Sequence, residues 1–187
     1  MTLDLDRFLS DCKAAATESA PEQAIRELVT RAVSDPVAAR QALGVPERGQ
    51  VQRLHVSPKL TVINVIWAPG MILMPHNHHM WAVIGVYEGR EDNIFWRRRE
   101  GDPKGCIEAA GAASLGPQDT RSLGRDVIHS VTNPTSQFTG AIHIYGGDFF
   151  ATERSEWDPR NLEERPYDID KNMKLFEEAN AFLARRD

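Results

Sequence analysis

Leu5, Phe8, Leu9, Cys12, Ala15 and Ala16 recur at three-and-four spacing across residues 3–18, with Asp and Lys between them, which predicts a helix that buries one face. Pro21 suits a first helical position, and Ile25, Leu28, Val29, Ala32 and Val33 then line one side of a second helix until Pro36. A third helix, over about 36–43, should end at Gly44, with Pro46 preventing continuation. From about residue 50 the period shortens. "VQRLHV", "LTVINVIWA", "MWAVIGVYEG", "DNIFWRRR", "CIEAAGAASL", "SLGRDVIHSVTN" and "TGAIHIYGGDF" are β-branched or aromatic runs parted by Gly, Pro, Asn and Asp, which predicts about seven to nine strands. Strands at this spacing with no helix between them point to a sandwich or a closed barrel. Helical spacing returns in "DKNMKLFEEANAFLARRD" through Met173, Phe176, Ala179, Phe182 and Leu183, and the basic end suits a helix C-terminus.

A chain of 187 residues, 41% hydrophobic and 26% charged, can bury a sizeable core, and one domain is expected: a helical segment over 1–48, a β-barrel over 49–156 and a C-terminal segment with a helix over 157–187. The net charge of -5 gives little attraction to phosphate backbones or anionic lipid, so neither nucleic acid nor membrane is an expected partner. No apolar run approaches the roughly 20 residues that span a bilayer, and "MTLDLDRFLSDCK" lacks a basic stretch followed by an apolar one, so a cytoplasmic location is expected. Cys12 and Cys106 have no CxxC spacing and read as two reduced thiols. The expected assembly is a monomer or homodimer.

In "MILMPHNHHMWAVIGVYEGRE" (71–91) three histidines fall within four positions of an otherwise apolar run. On a strand, His76 and His78 leave the same face, followed inward by Met80, Ala82 and Ile84. Two buried imidazoles cannot satisfy their ring nitrogens from an apolar lining, whereas one divalent metal satisfies both at once. His79 faces the other way and reads as packing. The spacing Gly70-x5-His76-x-His78-x3-Ala82-x6-Gly89 resembles the first motif of the cupin superfamily, with Ala82 in the slot of its carboxylate ligand. His129-Ser-Val-Thr-Asn133 resembles the His-x3-Asn of the second motif, with Gly124-Arg-Asp126 where Pro-x-Gly is usual. The resemblance implies a mainly β fold, an RmlC-like jelly-roll barrel (double-stranded β-helix) with helices at both ends, and metal ligands His76, His78 and His129. Imidazoles alone do not name the metal: Fe(II) is expected, with Zn, Ni, Cu or Mn open.

"AIHIYGGDF" places Ala141, His143 and Tyr145 on one strand face. With the all-His ligand set, this strand resembles the Ser-x-His-x-Tyr strand of the thiol dioxygenases, the cupin branch of cysteine dioxygenase and mercaptopropionate dioxygenase, except that Ala141 stands where that family has Ser. Trp67 in "VIWAPG" looks like the Trp that precedes the family's metal strand. No Cys lies where some members crosslink to the Tyr. The resemblance implies an oxidoreductase that oxidises a small anionic thiol with O2 to a sulfinic acid, with Tyr145 and His143 catalytic. An anchor for the substrate carboxylate is expected on an early strand, where "QRLHVS" offers Arg53 and His55. Met80 and Trp67 complete the candidate substrate-binding set, although Met71, Met74, Met80, Trp81 and Ile84 also read as packing.

Trp96-Arg97-Arg98-Arg99 reads as a solvated sheet edge that discourages pairing, and Glu88 as turn chemistry. Two other functions stay open: a cupin metalloenzyme acting on a diketone or aromatic ketone, and a barrel that binds metal or a small ligand without catalysis.

Overall fold

The computed structural model describes residues 2–185. Three helices come first: α1 (Leu5–Ala15), α2 (Pro21–Val33) and α3 (Pro36–Leu43). The first is shorter than its apolar pattern because Asp4 caps it, accepting from the Arg7 amide at 3.0 Å, and the Thr17 hydroxyl takes the Ala14 carbonyl at 2.8 Å beyond its end. The strands follow in order: β1 (Gln50–Ser57), β2 (Leu60–Trp67), β3 (Ile72–His76), β4 (Ala82–Glu88), β5 (Glu91–Arg98), β6 (Ile107–Leu115), β7 (Thr120–Leu123), β8 (Ile128–Thr132), β9 (Thr139–Tyr145), β10 (Ser155–Trp157) and β11 (Glu164–Pro166). The helix α4 (Ile169–Leu183) closes the order.

The strands form two antiparallel sheets, ordered β1-β2-β9-β4-β7 and β11-β10-β3-β8-β5-β6. From β2 to β10 the strands alternate between the sheets, except that β5 and β6 form a hairpin within one, which makes the jelly-roll, or double-stranded β-helix, that the histidine motifs imply. Ile63, Val65, Ala82, Ile84, Val86 and Ala141 of the first sheet meet Leu73, Leu115 and Val131 of the second in the core between them. The opposite face of the first sheet, through Val62, Val83, Tyr87, Ile142 and Ile144, is covered by Phe8, Cys12, Ile25, Val29 and Val33 of the N-terminal helices. Apolar side chains therefore leave β2, β4 and β9 on both sides, and every residue of β2 and β9 is buried. Contact with the helices is close: a Cβ at Gly85 in β4 would lie 2.3 Å from Val29 Cγ1 in α2.

Three details depart from the sequence pattern. β10 and β11 are paired three-residue strands that lie beside β3, too short to show a period. The arginines of β5 are not at a sheet edge, since β5 runs between β8 and β6; Arg97 Nε donates to Glu108 at 2.7 Å, and Arg98 pairs with Glu164. In α4 the apolar stripe runs past the helix's useful length. Phe176 is buried but Phe182 is largely exposed, and Arg185 Nε donates to the Ala181 carbonyl just past the helix end; Arg186 lies outside the described residues. Among the described residues, no helix is long and apolar enough to cross a membrane.

Candidate metal centre

His76 ends β3 and stands opposite His129 of β8 in the antiparallel ladder, with ring centroids 4.6 Å apart. His78 does not share a strand with His76. It sits in the turn over 77–81 that carries the chain to β4 in the other sheet, so convergence comes from the turn rather than from strand alternation. Asn77 fixes that turn: its amide donates to the Ser155 carbonyl at 3.1 Å, and its Oδ1 accepts from the Ser155 amide at 2.9 Å. His79 takes a left-handed backbone conformation, φ 55°, and its ring turns outward, Nδ1 donating to the Glu153 carbonyl at 3.2 Å and Nε2 accepting from Asn77 Nδ2 at 3.0 Å.

The outcome is a cluster of three imidazoles. Nε2 of His78 lies 3.2 Å from Nε2 of His76 and 3.3 Å from Nε2 of His129. Imidazole nitrogens bonded to one first-row metal at about 2.1 Å stand roughly 3.0–3.4 Å apart at angles between about 90° and 109°, so these donors fit a single ion. Their chemistry fits as well. His76 Nδ1 donates to the Met74 carbonyl at 2.9 Å and His129 Nδ1 donates to Asn93 Oδ1 at 2.7 Å, which leaves both Nε2 atoms as lone-pair donors. Burial lowers His76 to about 4, and burial with the neighbouring imidazoles holds His78 and His129 well below the usual histidine value, so all three are neutral at pH 7. Converging lone pairs repel unless a cation lies between them. The three residues could hold one metal ion.

Beside this cluster runs a hydrogen-bonded chain that the sequence did not reveal. Glu91, at the start of β5, is fully buried. One carboxylate oxygen accepts from Trp67 Nε1 at 2.8 Å and from His143 Nε2 at 3.1 Å, while the other accepts from Asn93 Nδ2 at 3.1 Å. Burial opposes its ionisation, but His143, Asn93 and Trp67 together hold its pKa below the ordinary carboxylate value. Donation of Nε2–H to Glu91 turns His143 Nδ1 toward the Tyr145 hydroxyl, 3.2 Å away. Tyr145 in turn packs edge-on against His78, centroids 5.0 Å apart, and burial pushes its phenol up, so it keeps its proton. A continuous path, His129–Asn93–Glu91–His143–Tyr145, thus links one imidazole of the cluster to the phenol beside another. Glu91 and Asn93 share the inward face of β5 with Phe95, and two polar residues at inward strand positions were the available signal.

A cavity of about 30 Å³ adjoins the cluster. His76, His129, His143, Tyr145 and Trp67 line it, together with aliphatic side chains of β1, β2, β3 and β8, and Tyr167, Asn172, Met173 and Phe176 close it from the C-terminal segment. Neither Arg53 nor His55 is among the lining residues. A bulge in β1 between them changes the register: Arg53 is exposed over the Phe150 ring, 3.8 Å from its centroid, and His55 lies on the side of Lys13 in α1. Met80 is buried in the inter-sheet core against Gly147 and does not line the cavity.

Arg154, in the loop before β10, does not line this cavity but packs against two rings that do. It is 6% exposed, and its guanidinium is sandwiched 4.2 Å from the Phe149 ring centroid and 4.0 Å from that of Tyr167, two rings that line the cavity. Nη1 donates to the Phe149 and Thr152 carbonyls, whereas Nε and Nη2 are buried without a hydrogen-bond partner.

The strand order and these three histidines define a jelly-roll barrel with a site able to hold a metal. No family model matches the chain. Among solved structures, it is similar over 51% of its length to 22% of the oxalate decarboxylase of Bacillus subtilis, at 18% identity and a TM-score of 0.40. Over 54% of its length it is similar to 81% of an RmlC-like cupin family protein with a double-stranded β-helix fold from Methanocaldococcus jannaschii, at 9% identity and a TM-score of 0.43. The chain therefore spans under a quarter of the oxalate decarboxylase it matches.

Proposed function

We propose that this protein is a metal-dependent cupin dioxygenase that converts a small anionic thiol and O2 to a sulfinic acid, with His76, His78 and His129 as the metal ligands. The observation that carries the reading is the convergence of three neutral Nε2 atoms beside a Tyr145 phenol oriented by His143. Fe(II), when bound, supplies a redox-active centre with open positions where thiolate and dioxygen can meet, which zinc cannot do because it has no redox chemistry. Both oxygen atoms end on sulfur, so the thiolate and O2 account for every atom of the sulfinate.

Residues of the chain do the rest. Tyr145 holds its proton, donates it in a hydrogen bond to His143 Nδ1 and turns its phenol oxygen, as an acceptor, beside the imidazole cluster. His143 fixes the direction of that phenol, and Glu91 fixes His143 in the place that Ser occupies in the family's strand; Ala141 is buried in the core and has no polar group to offer. Arg154, stacked on two rings of the cavity wall, is the buried cation whose unspent Nε and Nη2 favour a bidentate anion. Arg53 and His55, the expected anchors, do not line the cavity. Trp67 stacks on Phe176, centroids 5.4 Å apart, and walls the cavity.

A second reading rests on the aliphatic wall of Val51, Ile63, Val65, Leu73 and Val131, which suits a neutral diketone better than an acid. Reconstitution with ferrous iron without air, then oxygen uptake against a panel of thiol acids and a panel of diketones, separates them. Uptake with thiol acids and sulfinate as product is the expected result; uptake with diketones alone would overturn the thiol reading.

A further inference from the structure

Asn93 stands diagonally across the β5–β8 ladder from His129, whose partner in register is Phe95, two residues further along β5. Glu91, Asn93 and His129 are each at most 1% exposed, so their polar atoms are satisfied from within. An ionised carboxylate can only accept, and Asn93 Nδ2 donates to Glu91 Oε1 at 3.1 Å. That contact settles which way round the amide sits, and Oδ1 then faces His129 Nδ1 at 2.7 Å. An acceptor at Nδ1 places the ring proton there, away from Nε2. Were the amide reversed, Nδ2 would face Nδ1, and a proton driven to Nε2 would occupy the lone pair that an ion needs. His76 is held differently: the Met74 carbonyl accepts from its Nδ1 at 2.9 Å, and a backbone oxygen cannot turn round. One ligand is thus set by the backbone and another by two side chains in series. Among the described residues no Lys or Arg pairs with Glu91, whose one ion-pair partner is His143. A metal ion at the imidazoles, which two hydrogen bonds join to Glu91, would offset that buried charge.

We propose that Asn93 is a positioning residue for the metal: held by Glu91, it keeps His129 in the tautomer whose Nε2 faces the ion, and the pair thereby governs how tightly the metal binds. This rests on the three-histidine ligand set proposed above and not on the thiol chemistry. The same carboxylate accepts from His143 Nε2 at 3.1 Å, which leaves His143 Nδ1 to accept from the Tyr145 hydroxyl at 3.2 Å. One buried charge therefore fixes the polarity of two branches, one ending at a ligand and the other at the phenol.

The test titrates zinc into the full chain against a chromophoric chelator, as wild type, Asn93→Ala and Glu91→Gln. In Glu91→Gln the new amide nitrogen should fall at Oε1, which meets one donor, rather than at Oε2, which meets two, so Asn93 is the group that turns. Both variants should still fill with ion at saturation, with Kd raised about 10–100-fold over the wild type. The second readout is the ring-nitrogen NMR spectrum of metal-free, histidine-labelled protein. Wild-type His129 should be protonated at Nδ1 alone, and both variants should show a population protonated at Nε2, while His76 keeps its tautomer throughout. Gly85→Ala, which disturbs packing away from these side chains, should match the wild type in both readouts. An unchanged Kd in either variant overturns the proposal, as does a raised Kd with His129 still protonated at Nδ1 alone, which would assign the loss to packing. Should Asn93→Ala fail to fold, Glu91→Gln decides alone. Wild-type protein that binds neither zinc nor ferrous ion defeats the ligand set and this proposal together, whereas tight wild-type binding with unmoved variants defeats the proposal only.

Discussion

Glu91 receives hydrogen bonds from three side chains, two of which line the cavity, and its position could not be read from any histidine motif. Glu91→Gln keeps the shape and removes the charge that orients His143. We expect it to retain metal and lose roughly 10–100-fold in turnover, with a changed pH–rate profile; a profile superimposable on the wild type would reject the orienting role. Tyr145→Phe should likewise keep its metal and turn over more slowly, and equal rates would assign the phenol to packing. His76→Ala, His78→Ala and His129→Ala should each lose bound metal by elemental analysis, and full stoichiometry in one of them removes that residue from the ligand set. The same histidines set a pH dependence. His76 titrates near 6.5 when unfolded and near 4 when folded, so between those values the unfolded chain holds the extra proton. Metal-free protein should therefore lose stability as pH falls from about 6.5 to about 4, with His78 and His129 adding in the same direction. Urea midpoints of chelator-treated protein across that range would be flat if the rings were solvated.

Apolar spacing gave the three N-terminal helices, the β block and α4, because each of these buries a face long enough to show its period. β10 and β11 are too short to show a period, and the turn over 77–81 was not legible, since it depends on contacts between Asn77 and Ser155, which lie far apart in the chain. For the same reason Arg154 carried no signal: its burial comes from rings at 149 and 167, on either side of a loop. Gly85 shows how tightly the elements meet. Gly85→Ala forces β4 and α2 apart, and a loss of about 1–3 kcal/mol in urea unfolding is expected, with metal binding retained; an unchanged midpoint would mean that α2 can shift without cost.

Across the whole molecule, the two groups of helices do different jobs. α1, α2 and α3 cover the outside of one sheet, away from the imidazoles, whereas the segment that ends in α4 closes the barrel over them. Because the imidazole cluster is assembled only in the folded chain, a bound ion should raise the thermal midpoint, by about 2.7 kcal/mol of stability at a concentration 100 times its Kd, and chelation should reverse the gain. An identical midpoint with and without ferrous or zinc ion would contradict that coupling. The chamber itself sets a limit on traffic. About 30 Å³ lies beside the histidines, so a guest much larger than a water or two enters only when side chains of the C-terminal segment give way.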